Sequence, residues 1–489
     1  MRYFKTPCLL LLPVLLLTGC DSFLSHEPDN RTQLNTGEKI AELLVSAYPE
    51  ANYMTFCEAM TDNVSLHPGA VSENTNTNPY RWENVEDTEQ DSPEFYWNAC
   101  YSAIAAANHA LEAIAQSEDP TIYDAQKGEA LVARAYAHFM LVTLFAKTYN
   151  DDTSDSDPGI PYVTEPEKVA LKKYERRTVE YVYDKIESDL KKGIELIRDD
   201  IYTIPKYHFT RSAAHAFAVR FYLHKREYNK VLEHANLVFS DNDFASRLRP
   251  WNTTYQGYAF DQLEAAYTRS TEKANLLLCE TSSLWARRYN QFRYSTGVTD
   301  LSRSQAIAGV VDGDFAYTTY FFSNIDVYFV VKFREHFVRE DISADIGLPY
   351  TIIPLFTAEE VLLSRAEAYL FLGSNNSCIA DLNTFFSTRI SDYDPMEHEL
   401  TITKALNYFS APNTAQNRFA VLFEVILQVR RAEFLHEGLW WFDILRHDLT
   451  ITHVDEGGEV LTLEEGDPRR VLQIPSQAIS QGGLAPNPR

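Results

Sequence analysis

Basic residues are scarce in this sequence of 489 residues. Lysine and arginine together number 44 against 69 aspartates and glutamates, which gives a formal net charge of -25 at pH 7. A surface of that sign repels the phosphate backbone of nucleic acids instead of releasing its counterions. We therefore expect no nucleic-acid partner.

The motifs that most often identify an enzyme are also missing. The sequence contains no G-x-S-x-G nucleophile elbow, no P-loop, no dinucleotide-binding fingerprint and no C-x-x-C pair. His436 and Glu437 begin like a zinc-binding helix, but Trp440 stands where the second histidine ligand belongs. The acidic loop at residues 151–157 lacks the later glutamate of an EF-hand, which favours a solvated loop over a calcium site. We predict a protein that is not an enzyme and uses no metal or cofactor.

Cysteine is rare and widely scattered. Apart from Cys8 and Cys20 near the start, the sequence has only Cys57, Cys100, Cys279 and Cys378. Four distant cysteines in a long chain are typical of buried thiols, not of a disulfide framework.

Long apolar runs are limited to the first residues. The leucine-rich run from Leu9 to Leu17 follows Arg2 and Lys5, and it is too short to span a bilayer. The run ends in Leu17, Thr18, Gly19 and Cys20, a pattern that resembles a bacterial lipobox. We predict a signal peptide over residues 1–19 and acylation of Cys20, with lipid as the only membrane anchor.

Most of the remaining chain has the periodicity of helices. After a polar tether at residues 20–36, helices are predicted at 38–48, 95–115, 126–147 and 178–197, the last capped by Thr178. The third is apolar on nearly every face, which is typical of a helix buried among others.

Two later segments show a weak internal repeat. Tyr222 is followed at steps of nine and four residues by Val231 and Ala235, and Tyr369 is followed at the same steps by Cys378 and Leu382. This spacing matches the skeleton of a tetratricopeptide helix pair. With the earlier helices, it predicts a helical superhelix of about four such pairs.

Residues 249–354 differ in character from both flanks. Tyrosines, phenylalanines and tryptophans crowd there among glycines and polar residues, and 327–333 reads as a short strand. Helical spacing returns near the C-terminus, where residues 430–446 read RRAEFLHEGLWWFDILR. We predict one buried helix over 430–446, with Arg430 paired to Glu433 and Asp443 paired to Arg446.

The segment 430–446, the helices at 126–147 and 357–373, and the proline-bearing tail resemble the SusD/RagB family of outer-membrane nutrient-binding lipoproteins. The resemblance implies a mainly α fold, a tetratricopeptide-like superhelix over residues 20–489 with a loop-rich ligand-binding insertion at 249–354. It also implies a lipid-anchored protein, exposed at the cell outer membrane, that delivers oligosaccharide to a SusC-like TonB-dependent transporter.

Two regions have the composition of a sugar-binding surface, in which flat aromatic rings lie beside polar groups. Trp82 with Tyr80 and Arg81 lies in the first long loop, and Trp285 with Tyr289 and Arg293 lies in the insertion. Position in the chain adds Asn63. Burial of each aromatic under its own loop is an equally weighted alternative. Trp97, Trp440 and Trp441 lie within helical patterns and are assigned to the core.

Other functions remain open at the level of sequence. Some relatives in the family bind oligopeptides, and nothing in the aromatic loops excludes that ligand. A secreted all-helical glycosidase would need two carboxylates facing each other across an aromatic cleft. A purely structural surface lipoprotein would bury its aromatics against a partner.

Overall fold

The computed structural model describes residues 34–168, 172–339, 341 and 346–489. Within these residues it contains eighteen α-helices and nine β-strands. The helices are α1 (Gly37–Leu44), α2 (Met54–Ala59), α3 (Asn74–Tyr80), α4 (Pro93–Gln116), α5 (Asp124–Phe145), α6 (Val179–Leu196), α7 (Arg211–His224), α8 (Tyr228–Val238), α9 (Phe260–Tyr267), α10 (Trp285–Arg288), α11 (Val298–Gln305), α12 (Ala358–Phe371), α13 (Asn375–Phe386), α14 (Pro395–His398), α15 (Ile402–Tyr408), α16 (Ala415–Glu433), α17 (Leu439–Arg446) and α18 (Ser476–Ser480). The strands are β1 (Ser65–Leu66), β2 (Asn275–Ser282), β3 (Tyr294–Ser295), β4 (Thr319–Phe322), β5 (Val327–Val330), β6 (Glu335–Arg339), β7 (Gly347–Thr357), β8 (Ile451–Val454) and β9 (Val460–Leu463).

Packed helix pairs form the scaffold, as the sequence predicts. Helix α5 is buried on nearly every face and packs between α4 and α6. The pairs α7–α8 and α12–α13 are the two predicted tetratricopeptide-like units, and α12 packs against both α7 and α8. Thr178, Thr210 and Thr357 each accept a hydrogen bond from the amide three residues on, which caps the start of α6, α7 and α12. The mainly helical fold class is therefore confirmed.

The segment 430–446 is not one helix. Helix α16 ends at Glu433 and α17 begins at Leu439, so the prediction of a continuous helix is wrong. The apolar residues keep helical spacing, but His436 and Gly438 adopt left-handed backbone conformations, with φ of 70° and 69°. That conformation does not continue an α-helix of L-residues. Residues 434–438 are called the signature turn below.

The buried charges beside this turn pair only partly as expected. Asp443 accepts from Arg446 at 2.6 Å, as predicted, and also from Arg430 across the turn at 2.8 Å. The predicted pair of Arg430 with Glu433 is wrong, because both carboxylate oxygens of Glu433 accept from Arg389, at 2.8 and 2.9 Å. Ending the helix at Glu433 lets each buried carboxylate meet a partner from another element, which desolvated charges require.

Residues 249–354 hold most of the β-structure. Strands β2, β7 and β6 form an antiparallel sheet in the order β2–β7–β6, while β4 and β5 form a separate hairpin. The predicted strand at 327–333 is confirmed over Val327–Val330. Strand β1 of the first long loop pairs with β3 of the insertion, and β8 pairs with β9 near the C-terminus. The two regions singled out in the sequence therefore meet.

Several predictions concern single residues or segments. The signal peptide at 1–19, Cys20 and most of the tether at 20–36 lie outside the described residues. In the described part of the chain, none of the helices has the length and apolarity needed to cross a membrane. As predicted, the following side chains are buried, the cysteines as free thiols: Cys57, Cys100, Cys279, Cys378, Trp97, Trp440 and Trp441. The boundaries of the insertion stay a prediction.

Candidate functional site

Trp82 and Tyr80 lie in a stack of four buried rings. The ring of His453 lies between them, with centroids 4.4 Å from Trp82 and 4.0 Å from Tyr80. Tyr294 of strand β3 covers the other face of Tyr80 at 3.7 Å. Only 2% of the Trp82 and Tyr80 side chains is exposed. Both faces of the Tyr80 ring are thus covered by other rings, while Trp82 has His453 against its ring and the guanidinium group of Arg469 5.5 Å from its centroid.

Hydrogen bonds at the rim hold this stack in place. The two ring nitrogens of His453 lie 2.6 Å from the carbonyl oxygen of Tyr80 and 2.9 Å from that of Thr61. Burial lowers the pKa of His453, although these two carbonyl groups act in the opposite direction. The indole N–H of Trp82 donates to the carbonyl oxygen of Met60 at 3.0 Å, while the Trp82 backbone is held at φ 54°, an uncommon conformation for a bulky residue. The stack is a structural brace between the first loop and β8.

Arg81 and Arg293 lie at the edge of the stack and reach the surface. The Arg81 side chain is 35% exposed and donates to Asp455 at 2.8 Å. The Arg293 side chain is 25% exposed and pairs with Glu456. Both acidic partners lie in the turn between β8 and β9. The two arginines therefore present charge at a common rim.

Asn63 is fully buried and supports the C-terminal helices. Its side-chain oxygen accepts from Nε of Arg431 at 2.8 Å, and its amide donates to Glu58 at 3.3 Å. Glu58 in turn accepts from the backbone amides of His436 and Gly438, at 3.0 and 3.1 Å. Burial raises the pKa of Glu58 to about 7 against these hydrogen bonds, which lower it. Asn63 thus helps to fix the signature turn.

Trp285 and Tyr289 lie one layer beneath the surface of the insertion. The indole N–H of Trp285 donates to the carbonyl oxygen of His436 at 3.1 Å. The ring of Tyr289 packs edge-to-face against Phe329 and Phe333, at 5.6 and 5.7 Å. Both side chains are at least 97% buried, and Tyr289, which Trp285 packs beside, contacts Phe329 of strand β5.

The ligand contacts proposed for the buried residues stay a prediction. In this conformation a ligand would reach the rings of Trp82, Tyr80, Trp285 and Tyr289 only if their neighbours moved away. In the structure these four aromatic side chains are buried, which is the alternative considered for them. The exposed aromatic surface is formed instead by residues that lie above Tyr289.

This surface is the hairpin of β4 and β5, residues 319–330, called the aromatic hairpin below. Strand β4 lies at its edge, and Tyr320, Phe321 and Phe322 are 37%, 48% and 38% exposed. Phe321 stacks on Tyr328 directly across the hairpin, with centroids 4.5 Å apart. On the opposite face, Tyr320 meets Phe260 of helix α9 edge-to-face at 5.0 Å. Because successive side chains alternate between the faces of a strand, three consecutive aromatics expose rings on both sides.

The turn of the aromatic hairpin is fixed to strand β3. One ring nitrogen of His67 lies 3.0 Å from the carbonyl oxygen of Ile325, and the other lies 3.1 Å from that of Ser295. The amide of Tyr328 donates to the carbonyl oxygen of Thr296 at 2.8 Å. Since Arg293 precedes Ser295 by two residues, the arginine rim and the aromatic hairpin border the same strand. Flat apolar rings beside charged groups suit a ligand with both apolar faces and hydroxyl groups.

A separate groove of about 460 Å³ lies against helix α4. Its lining includes the rings of Trp97, Tyr101 and Tyr174 and the carboxylates of Glu165 and Glu167. Both carboxylates come from one short stretch on the same wall. The groove therefore lacks the carboxylates on opposite sides of a cleft that glycoside hydrolysis requires.

The described ranges hold no cluster of side chains that could bind a metal ion. There, no three His, Cys, Asp or Glu side chains are grouped so that they could hold an ion. In the acidic loop, Asp157 accepts from the ammonium group of Lys147 at 2.6 Å and from the hydroxyl of Thr153 at 2.7 Å. These partners occupy both oxygens of its carboxylate.

Comparisons with known proteins identify the fold. Residues 22–223 match a SusD-like family model described as starch-binding and associating with the outer membrane. No curated protein sequence matches the chain. The solved structure of a SusD superfamily protein from Bacteroides thetaiotaomicron is 20% identical in sequence and matches with a TM-score of 0.67. The match covers 93% of this chain and 100% of that one.

Two further solved structures are of carbohydrate-binding proteins. A SusD-like carbohydrate-binding protein from Bacteroides vulgatus is 16% identical with a TM-score of 0.65, over 92% of this chain and 97% of that one. A laminarin-binding SusD-like protein is 17% identical with a TM-score of 0.59, over 92% and 99%. The family model and the solved structures agree: residues 22–223 match a SusD-like family model, and the fold is that of the SusD superfamily structures.

Proposed function

We propose that this protein binds oligosaccharide at the aromatic hairpin and delivers it to a SusC-like TonB-dependent transporter in the outer membrane. The observation that carries the proposal is strand β4, whose three consecutive aromatic side chains are each more than a third exposed. Large apolar side chains in such a group are costly to leave in water unless a ligand or partner covers them. The match of residues 22–223 to a family model described as starch-binding supports a glycan as that ligand.

The chemistry of the surface suits a sugar. A pyranose ring presents C–H groups on its faces, which pack on the flat rings of Phe321 and Tyr328. Its hydroxyl groups need donors and acceptors beside those rings, and Arg81 and Arg293 supply donors at the neighbouring rim. In this proposal the two arginines keep the ligand role expected from the sequence. The buried rings of Trp285 and Tyr289 support the hairpin instead.

The cellular part of the proposal rests on the sequence and the family. Cys20 carries the lipid anchor, and residues 20–36 tether the folded chain to the outer membrane with its binding surface facing outward. The transporter takes up the captured oligosaccharide intact, and this protein acts as its hinged lid. The protein has no catalytic role in this scheme.

Replacing Phe321 with alanine tests the ligand surface. We expect the affinity for the bound glycan to fall about tenfold, since one stacked aromatic ring contributes about 1.5 kcal/mol. The melting temperature should change little, because the side chain is 48% exposed. Binding is measured by calorimetry on the mature chain without lipid, after a screen of starch, laminarin and other arrayed glycans and of oligopeptides.

Phe419→Ala is the matched control, since Phe419 is 37% exposed on helix α16, far along the chain from the hairpin. Its affinity should equal that of the wild type. If the Phe321 variant binds glycan as tightly as the wild type, the aromatic hairpin is not part of the binding site. Retention of peptides alone would favour the oligopeptide alternative, and shortened glycan, detected by mass spectrometry, would reveal an enzyme.

A further inference from the structure

The signature turn does more than join two helices. Its backbone amides at residues 436 and 438 donate to the buried carboxylate of Glu58, which fixes the turn from the side of α2. The side chains of His436 and Glu437 contact the insertion. The ring of His436 packs against Tyr289 at 5.2 Å, and its Nε2 lies 3.3 Å from the amide nitrogen of Val330 in strand β5.

The protonation state of His436 fits this contact. Burial lowers the pKa of His436 well below 6.5, and the nearby positive charge of Lys332 acts in the same direction. A neutral imidazole has one nitrogen that accepts a hydrogen bond. The ring of His436 can therefore accept from the Val330 amide at the end of the aromatic hairpin.

Glu437 binds both elements that carry exposed rings. Its Oε1 accepts from the hydroxyl of Tyr267 at 2.6 Å and from the ammonium group of Lys332 at 2.6 Å. Tyr267 is the last residue of helix α9, whose first residue is Phe260. Lys332 lies two residues after Val330, the last residue of the hairpin. One carboxylate oxygen therefore links the two sides of the contact between Phe260 and Tyr320.

The link is isolated from water. Glu437 and Lys332 are each 1% exposed, and Tyr267 is fully buried. Lys332 also donates to the backbone carbonyl of Glu433 at 2.5 Å, at the end of α16. A buried ion pair adds little to stability by comparison with apolar side chains, but it strongly fixes geometry because misplacing either charge leaves it unpaired.

We propose that Glu437 and Lys332 are positioning residues for the aromatic hairpin, which they hold in one orientation against helix α9. The proposal rests on the proposed function insofar as this orientation serves glycan binding. The signature turn thereby couples the helical scaffold to the ligand surface. Neither residue touches the ligand, since both lie below the exposed rings.

The test removes both charges together. In the double variant Lys332→Met with Glu437→Gln, no charge is left unpaired at this link and the glutamine oxygen still accepts from Tyr267. Hydrogen exchange of the backbone amides is followed at residues 319–330 and 260–267 in the mature chain. We expect faster exchange there, with exchange in α12 and α13 unchanged, and an affinity for laminarin oligosaccharides about tenfold lower.

A second buried pair supplies the control. Arg365 and Asp381 lie 2.7 Å apart between α12 and α13, and Arg365→Met with Asp381→Asn removes that pair in the same way. The control should speed exchange in α12 and α13 while leaving the hairpin and the affinity as in the wild type. If the pair of Glu437 and Lys332 contributed only to general stability, both double variants would change hairpin exchange and affinity to the same extent. A difference between the two variants therefore depends on where each pair lies in the fold.

The outcomes separate the two proposals. Unchanged exchange at 319–330 in the folded double variant overturns the positioning role, whatever the protein binds. Faster exchange with unchanged affinity also overturns it, because the orientation would then not matter to the ligand. Faster hairpin exchange in a protein whose wild type binds no glycan supports the mechanical link and overturns the proposed function. If the double variant does not fold, Tyr267→Phe removes a single hydroxyl and is read by the same two measurements.

Discussion

Trp82 shows how one residue can suggest a binding site and yet belong to the core. Its ring lies against His453, its N–H donates to the carbonyl of Met60, and only 2% of the residue is exposed. Trp82→Ala should therefore lower the free energy of unfolding by about 3–5 kcal/mol, as measured by urea denaturation. Tyr408→Ala, at a residue 42% exposed, should change it far less. A stable Trp82 variant with weaker glycan binding would instead support the ligand contact that the sequence suggested.

The residues that cover Trp82 explain why sequence could not place it. Composition identified an aromatic ring beside a charged group, which describes a sugar platform and a covered stack equally well. His453 lies 371 residues further along the chain, and no local pattern indicates that it packs there. The exposed aromatics of residues 319–322 could not be placed from sequence either. A half-buried strand alternates apolar and polar residues, and a continuous apolar run is typical of a strand buried on both faces, whereas β4 is exposed.

Glu58 gives the protein a dependence on pH that can be traced to one residue. Burial raises its pKa to about 7 in the folded protein, from 4.5 in the unfolded chain. The folded state then binds a proton over a range of pH in which the unfolded state does not, so this residue's contribution to stability falls as pH rises from about 4.5 to about 7. The decrease should be about 3 kcal/mol, at about 1.4 kcal/mol per unit of pKa.

Unfolding free energies at several pH values check this contribution. Glu58→Gln does not titrate, so the stability of the wild type relative to this variant should decrease between pH 4.5 and pH 7 and then remain level. Glu118→Gln makes the same substitution at an exposed position and serves as the control. A constant difference for Glu58 across this range would contradict the raised pKa.

At the scale of elements, residues 430–446 show what the periodicity of apolar residues can and cannot predict. The apolar spacing correctly predicted that 430–446 is buried and helical at both ends. It could not predict the turn between them, because His436 and Gly438 leave the helix without any proline or change of spacing. The turn depends on Glu58, a residue from a distant part of the chain, whose carboxylate accepts hydrogen bonds from the backbone amides of His436 and Gly438. Gly438, which adopts a left-handed backbone readily, is a local signal for the break, while the carboxylate that fixes the turn comes from a distant part of the chain.

Gly438 is the position at which that turn should be most sensitive. Its φ is 69°, and an added Cβ would lie 3.0 Å from Cβ of Cys57 and 3.2 Å from Cα of Met54. Gly438→Ala should therefore cost about 1–2 kcal/mol for the left-handed backbone, and more for the contact with α2. Gly373→Ala is the matched control, since its φ is 77° and a Cβ there has no neighbour within 4 Å. Thermal unfolding gives the loss of stability in both variants, and the difference between the two losses is the cost of the contact with α2. Equal losses would show that α2 accommodates the added methyl group at no cost.

At the scale of the whole molecule, the helical scaffold was predictable and the ligand surface was not. Helix pairs repeat local periodicity over many residues, so α5, α6, α7 with α8, and α12 with α13 fall where the sequence placed them. The insertion at 249–354 was recognised only by its aromatic composition. Its exposed face depends on the pairing of β4 with β5 and on supports from α9 and the signature turn. Such contacts between distant segments leave no period in the sequence.

The formal net charge of -25 offers a test that distinguishes the two ligand classes across the whole surface. A neutral oligosaccharide held on aromatic rings gains little from that charge, so its affinity should stay nearly constant between about 0.1 M and about 1 M salt, while the Debye length falls from about 10 Å to about 3 Å. An oligopeptide drawn to an acidic surface by its basic residues should lose affinity over the same range. Calorimetry with laminarin oligosaccharides and with a lysine-rich peptide, each titrated at both salt concentrations, makes the comparison. Salt-sensitive binding of the peptide, without any salt-independent binding of the glycan, would identify this protein as a peptide-binding protein.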